Sequence, residues 1–221
     1  MILGIMMIAM FSTNFSPIHA SFANSLFDVN SETSRLIQKA PGLNPKVLKM
    51  ALTAYRKAVM HGGVKRAVLT VIDYSLPSYK QRMWIFDLYR NRLLYNLYVA
   101  HGRNSGNDVP HHFSNQSSSK ETSLGTFLTQ DTYFGSKGYS LNLKGLEHGF
   151  NDNAFNRRVV VHGAWYVEPK FIKQTGHAGR SWGCPSIAAT IAKPVINAIK
   201  GGSVLFAYYP DYNYLLHSGY A

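Results

Sequence analysis

Arg157-Arg158-Val159-Val160-Val161-His162-Gly163-Ala164-Trp165-Tyr166 and, further along, Gly179-Arg180-Ser181-Trp182-Gly183-Cys184-Pro185-Ser186 are the stretch on which the reading of this chain turns. The β-branched run Val159-Val160-Val161 reads as a short strand ending in His162-Gly163. Cys184, the only cysteine of the chain, follows His162 by 22 residues. A thiol is a useful nucleophile only as thiolate, so it wants an imidazole within hydrogen-bond reach. A histidine at a strand end and a cysteine on a later Gly-flanked turn can meet in that way although distant in sequence. Gly183 allows close approach of a substrate to the backbone, and N–H groups around Gly183 and Cys184 would face the oxygen of a tetrahedral intermediate. A lone cysteine is commonly just a small buried hydrophobe. Here its neighbours are Ser, Trp, Gly and Pro rather than a periodic apolar run, which favours a reactive thiol. The residues by themselves reach a candidate Cys/His acyl-transfer site and no further.

His162-Gly163 followed by Ser181-x-Gly183-Cys184 resembles the signature of the L,D-transpeptidase catalytic domain of peptidoglycan synthesis. In that signature a His-Gly precedes a Ser/Thr-His-Gly-Cys-hydrophobic-Asn/Arg block. This chain departs from it at Trp182, where His is usual, at Ser186, where Asn or Arg is usual, and in a longer His-to-Cys spacing. The departures are similar to a divergent branch of murein L,D-transpeptidase catalytic-domain proteins with the pattern Gly-Arg-Ser-x-Gly-Cys-Pro. The resemblance extends from about Val68 to Asp211 and takes in Ile72-Asp73-Tyr74-Ser75, Val99-Ala100-His101-Gly102 and Ser123-Leu124-Gly125. It implies an L,D-transpeptidase-like β-sandwich or barrel, predominantly β with flanking helices, carrying an N-terminal helical extension.

The resemblance also implies a mechanism. Thiolate Cys184 attacks the carbonyl of the third, diamino-acid residue of a tetrapeptide stem and expels D-Ala, while His162 takes and returns the proton and backbone N–H groups near Gly183 hold the oxyanion. An amine of a second stem (a 3→3 crosslink) or of a wall-linked protein resolves the thioacyl-enzyme; water in its place would make an L,D-carboxypeptidase. Gly163, Ser181, Trp182 and Ser186 are the motif residues expected beside the substrate, with Arg180 as a bidentate partner for a stem carboxylate and His177 lining the same face. Carbapenem-type inhibitors are expected to capture the thiol, and no cofactor is needed. A wall-binding protein that has lost catalysis is the alternative.

With 221 residues, 46% hydrophobic and 15% charged, the chain suits one globular domain with a sizeable core. Its net charge of +12 fits an anionic partner such as nucleic acid, a membrane surface or a carboxylate-rich wall. The Lys and Arg residues never run longer than two, so no nucleic-acid footprint is present and none is expected as partner. One cysteine excludes an intramolecular disulfide. Residues 1–27 carry no charged side chain. Met1–Phe11 is an apolar run too short to span a bilayer, followed by Ile18-His19-Ala20 and Ser21-Phe22-Ala23, both similar to cleavage sites. Residues 1–23 are therefore expected to be a signal peptide, atypical in lacking a basic start. The mature chain is expected to be exported, periplasmic or wall-associated, without stable membrane insertion.

The remaining sequence divides into an N-terminal helical extension over 24–64 and a catalytic domain over 65–221. Asn44-Pro45 reads as an N-cap with Pro at the first helical position, and Val47, Leu48, Ala51, Leu52, Tyr55 and Ala58 share one face up to Gly62-Gly63. Strands are expected over Ala67–Tyr74, Met83–Leu88, Leu93–Val99 and Ser203–Tyr209, with hairpins around Ser140–Leu143. Arg103–Glu121 is a long polar stretch of the kind that forms functional lids. Ile187–Lys200 reads as a helix kinked or split at Pro194. His101, His111, His112 and Cys184 are the residues from which a zinc site would have to be built, but adjacent histidines in a strand point to opposite faces and no HExxH or CxxC is present, so no metal is expected. His177 is the rival of His162 as general base; it lies in a Gly-rich loop, whereas His162 closes a stiff strand.

Overall fold

Among the described residues eight strands form one mixed sheet, and their order carries both ends of the domain to the same place. They are β1 Val68–Asp73, β2 Met83–Asp87, β3 Arg92–Leu97, β4 Gly125–Gly135, β5 Gly138–Gly145, β6 Val160–Ala164, β7 Ser186–Ala188 and β8 Val204–Tyr208, arranged as β3-β2-β1-β8-β4-β5-β6-β7. The computed structural model describes residues 28–221, so the signal peptide expected over 1–23 lies outside the described residues. β1 and β2 are buried along their whole length, as continuous apolar runs are when both sheet faces are covered. β1 runs parallel to β8, with Leu69 opposite Val204, and antiparallel to β2. The expectation of a predominantly β protein with flanking helices holds.

The two edges of the sheet nearly meet. Beyond β3 the chain continues through Ala100 to Arg103, where the Ala100 N–H donates to the Ser186 carbonyl (2.9 Å), Ser181 N–H to His101 (2.9 Å) and Arg103 N–H to Ser181 (2.8 Å). These bonds join the β3 end to the β7 end, so the sheet is almost closed, and the seam runs through the cysteine turn.

Among the described residues five α-helices flank it: α1 Val29–Ile37, α2 Pro45–Met60, α3 Pro169–Thr175, α4 Ala189–Ile199 and α5 Tyr212–His217. The Asn44 side chain caps α2 by accepting from Lys46 N–H (2.9 Å), with Pro45 at the first turn. Val47, Leu48, Ala51, Leu52, Tyr55 and Ala58 are buried in one continuous core with β1, β2 and β8, so α2 shares the core of the sheet. Each such Leu or Val contributes roughly 1.5–3 kcal/mol by leaving water.

Two expectations need correction. Ser186–Ala188 is a strand, pairing parallel to β6, so the helix begins only at Ala189. Pro194 does not split that helix, which runs unbroken to Ile199. Pro194 cannot donate the i→i−4 bond to the Thr190 carbonyl, yet the helix continues past it. The Glu168 carboxylate accepts from Thr190 N–H and from the Thr190 hydroxyl, both at 3.0 Å, holding the first turn. Ala192, Val195, Ile196 and Ile199 bury the inner face.

Candidate active site

β6 lies between β5 and β7, with Ser140 opposite His162 on one side and Ser186 opposite it on the other. The imidazole is buried and held at both nitrogens. Nδ1 lies 2.9 Å from the Gly163 carbonyl, which can only accept, so Nδ1 carries the proton. Nε2 is then an acceptor and receives the Ser186 hydroxyl at 2.9 Å; Ser186 in turn accepts from the Tyr166 hydroxyl at 3.3 Å. Burial lowers the His162 pKa below its ordinary value; the Gly163 carbonyl opposes this and Lys137 adds to it. His162 is therefore a neutral base at neutral pH.

The cysteine turn is braced by Ser181. Its buried hydroxyl donates to the Cys184 carbonyl (2.7 Å) and accepts from Gly183 N–H (3.1 Å). Gly183 has φ +118°, and a Cβ there would stand 2.7 Å from the Glu121 carbonyl oxygen, so only glycine fits. The Gly183 N–H is thus engaged by the Ser181 hydroxyl. The backbone N–H of Cys184 itself has no partner among the described residues.

The Cys184 sulfur packs along the entry to β6. It accepts from Val160 N–H at 3.5 Å and its S–H points to the Arg158 carbonyl at 3.6 Å. No hydrogen bond joins it to His162 among the described residues. Burial pushes the thiol pKa up, opposed by Val160 N–H, Arg157 and Lys137. Arg158 has φ +57°, unusual for a non-glycine residue, in the bend that brings its carbonyl and Val160 N–H to face the sulfur.

Several residues expected beside the substrate are turned inward. Ser181 and Ser186 are buried and committed to the bonds above. Gly163 faces α4: a Cβ there would stand 2.9 Å from the Ala192 Cβ, so its role is strand–helix contact. Arg180 is exposed and donates from Nη1 to Gly106 O (3.1 Å) and Asn107 Oδ1 (3.0 Å), tying the cysteine turn to the 103–107 loop. His177 is exposed, with Nδ1 on the Ala178 carbonyl at 3.0 Å. Trp182 is 72% exposed, and the Lys120 ammonium stands 5.1 Å over its ring. Arg157, Tyr166 and Lys137 also surround the thiol and imidazole. Their spacing in sequence gave no sign of it, since the turn before β6, the β4–β5 turn and the 3-10 turn after β6 deliver them. Among the described residues no three His, Cys, Asp or Glu side chains converge as a metal site would need. His101 is committed instead to the buried Arg82 guanidinium at 2.7 Å.

A near-closed β sheet with a strained, partly exposed cysteine turn at its seam, against the strand that carries a neutral histidine, defines a candidate thiol acyl-transfer domain. The chain belongs to the L,D-transpeptidase catalytic domain family, whose model matches residues 39–208. Among solved structures it is similar to LD transpeptidase LdtMt1 in complex with imipenem (TM-score 0.39, 16% identity, 64% of this chain and 59% of that one). It is similar also to the L,D-transpeptidase from Mycobacterium smegmatis (0.40, 16%, 67% and 64%). A third is the L,D-transpeptidase (Yku) from Stackebrandtia nassauensis (0.37, 13%, 82% and 76%). The chain thus spans 59% and 64% of the length of the first two. No curated protein matches the sequence.

Proposed function

We propose that this chain is an exported peptidoglycan L,D-transpeptidase with Cys184 as nucleophile and His162 as general base. The observation that carries the reading is the cysteine turn itself: Ser181 and Gly183 hold the only thiol of the chain at the sheet seam, two residues from a Ser186 that is bonded to His162. In this reading the thiol proton passes to Nε2 of His162. The Ser186 hydroxyl, which now donates to Nε2, turns to accept from the new N–H. The thiolate attacks the carbonyl of the diamino-acid residue, the Cys184 N–H holds the oxyanion, and D-Ala leaves with the proton from His162. The amine of a second stem or of a wall-linked protein then attacks the thioester, or water does so in a carboxypeptidase. Carbapenem-type inhibitors would stop at the first acylation.

A second reading, a wall-binding protein without catalysis, draws on the absent thiol–imidazole hydrogen bond and the raised thiol pKa. Intact-mass spectrometry after incubation with tetrapeptide muropeptides, and separately with a carbapenem, separates the two. One acyl increment per chain, lost in Cys184→Ala, supports the enzyme. No increment with either donor leaves the binding protein.

A further inference from the structure

We propose that Arg157 supplies the counter-charge of the Cys184 thiolate while it fastens the 114–123 segment beside the nucleophile turn. The proposal rests on the reading of Cys184 as the group that reacts. Arg157 is half-buried at the bend that leads into β6. Nη1 donates to the Ser114 carbonyl and to the Ser123 hydroxyl, and Nη2 to the Ser119 hydroxyl (3.0 Å) and the Glu121 carbonyl (2.8 Å). All four acceptors are neutral, and among the described residues no carboxylate lies within ion-pair distance of this guanidinium. A cation held away from water without an opposite charge is unfavourable unless an anion comes near it.

Besides Glu121, whose carboxylate lies beyond ion-pair distance, the geometry offers one anion, the thiolate of Cys184. Nη2 of Arg157 stands 3.5 Å from where a Cβ on Gly183 would lie, directly beside Cys184. The sulfur rests against the backbone of Arg158 and Val160, the residues that follow Arg157. The other titratable groups facing the thiol are Lys137 at the β4–β5 tip, Tyr74 at the end of β1 and Tyr166 after β6, with Glu121 acting on Arg157 itself. Of these only Lys137 is a second cation, and it is exposed to solvent, where its field is screened. The direction of the electrostatics agrees: Arg157 favours the ionised thiol, against the burial that disfavours it. At rest His162 is neutral and bonded to Ser186 rather than to the thiol, so Arg157 is the standing cation of the nucleophile turn and favours the thiolate as it forms.

The test is the pH dependence of iodoacetamide alkylation in the full chain, where Cys184 gives the only adduct. Arg157→Gln should move the alkylation midpoint upward by about one pH unit. Arg157→Lys, which keeps the charge and loses the fork, should stay within a few tenths of wild type, and Lys137→Gln should move less than Arg157→Gln. An unchanged midpoint in Arg157→Gln overturns the proposal, as do equal rises in the Gln and Lys variants, which would assign the effect to the tether alone. If Arg157→Gln does not fold, the Lys variant decides, since a rise of a full unit there is incompatible with a charge effect. Carbapenem acylation of the same samples separates the two readings. Alkylation that follows the Arg157 charge without any acylation removes the transpeptidase and leaves this inference standing. Acylation that persists with an unmoved midpoint does the reverse.

Discussion

At the scale of single residues the two candidate bases differ in how they are held. His162 is fixed at both nitrogens within the sheet, whereas His177 is exposed and bonded only to the carbonyl of its neighbour. His162→Ala is expected to slow carbapenem acylation by about 10²–10⁴-fold at neutral pH. His177→Ala should stay within a few-fold of wild type; stopped-flow fluorescence of the two variants checks this, and the opposite ranking would reverse the assignment. A second histidine sets the acid limit of the fold. His101 accepts from Arg82 at 2.7 Å, and burial first, then the Arg82 charge, lowers its pKa to about 3. It stays neutral in the fold but takes up a proton near 6.5 once unfolded, so the stability it contributes is complete above that value. As pH falls from about 6.5 towards 3 this contribution is lost, at about 1.4 kcal/mol per pH unit. Urea unfolding between pH 7 and 4 should show the slope, flattened in His101→Asn; equal slopes in both proteins would exclude this source.

At the scale of elements the structure depends on clamps that join distant segments. Glu168 capping α4 through Thr190 is one of them. Glu168→Ala should cost about 1–2 kcal/mol, read as a shift in the urea midpoint, with Thr190→Val losing the hydroxyl part alone. Such clamps also mark what the sequence could and could not disclose. The apolar face of α2, its Asn44-Pro45 start and the buried runs of β1 and β2 were legible because each is a local pattern with one physical meaning. So was Cys184, because a thiol among Gly, Ser and Pro is out of place in a core. Ser181, Ser186 and Gly163 were legible as members of a motif but not in orientation. Whether a hydroxyl faces substrate or braces a turn is decided by the neighbouring strand, here His101 and His162. β7 is three residues long, too short to show a period. Pro194 argued locally for a break, and packing of the α4 inner face overrode it.

At the scale of the whole molecule the sheet is closed by its most distant parts. Leu69 pairs with Val204, and the bridge between Gly102 and Ser181 completes the seam beside the nucleophile. Pairings of such sequence separation form slowly, since the loop must be closed before the contacts can hold it. The thiol's surroundings are assembled only when that seam shuts, because the Ser181 that braces the cysteine turn is itself a seam residue. Assembly of the cysteine turn is therefore expected late in folding. In refolding from urea, carbapenem uptake should lag the blue shift of tryptophan fluorescence, which reports Trp84 burying in the β1–β2 core since Trp165 and Trp182 stay exposed. Coincident recovery would mean that the turn forms without the seam. On the proposed reading of an exported enzyme, the chain would cross the membrane unfolded with its cysteine turn unassembled, and acquire it only after the domain has closed on the far side.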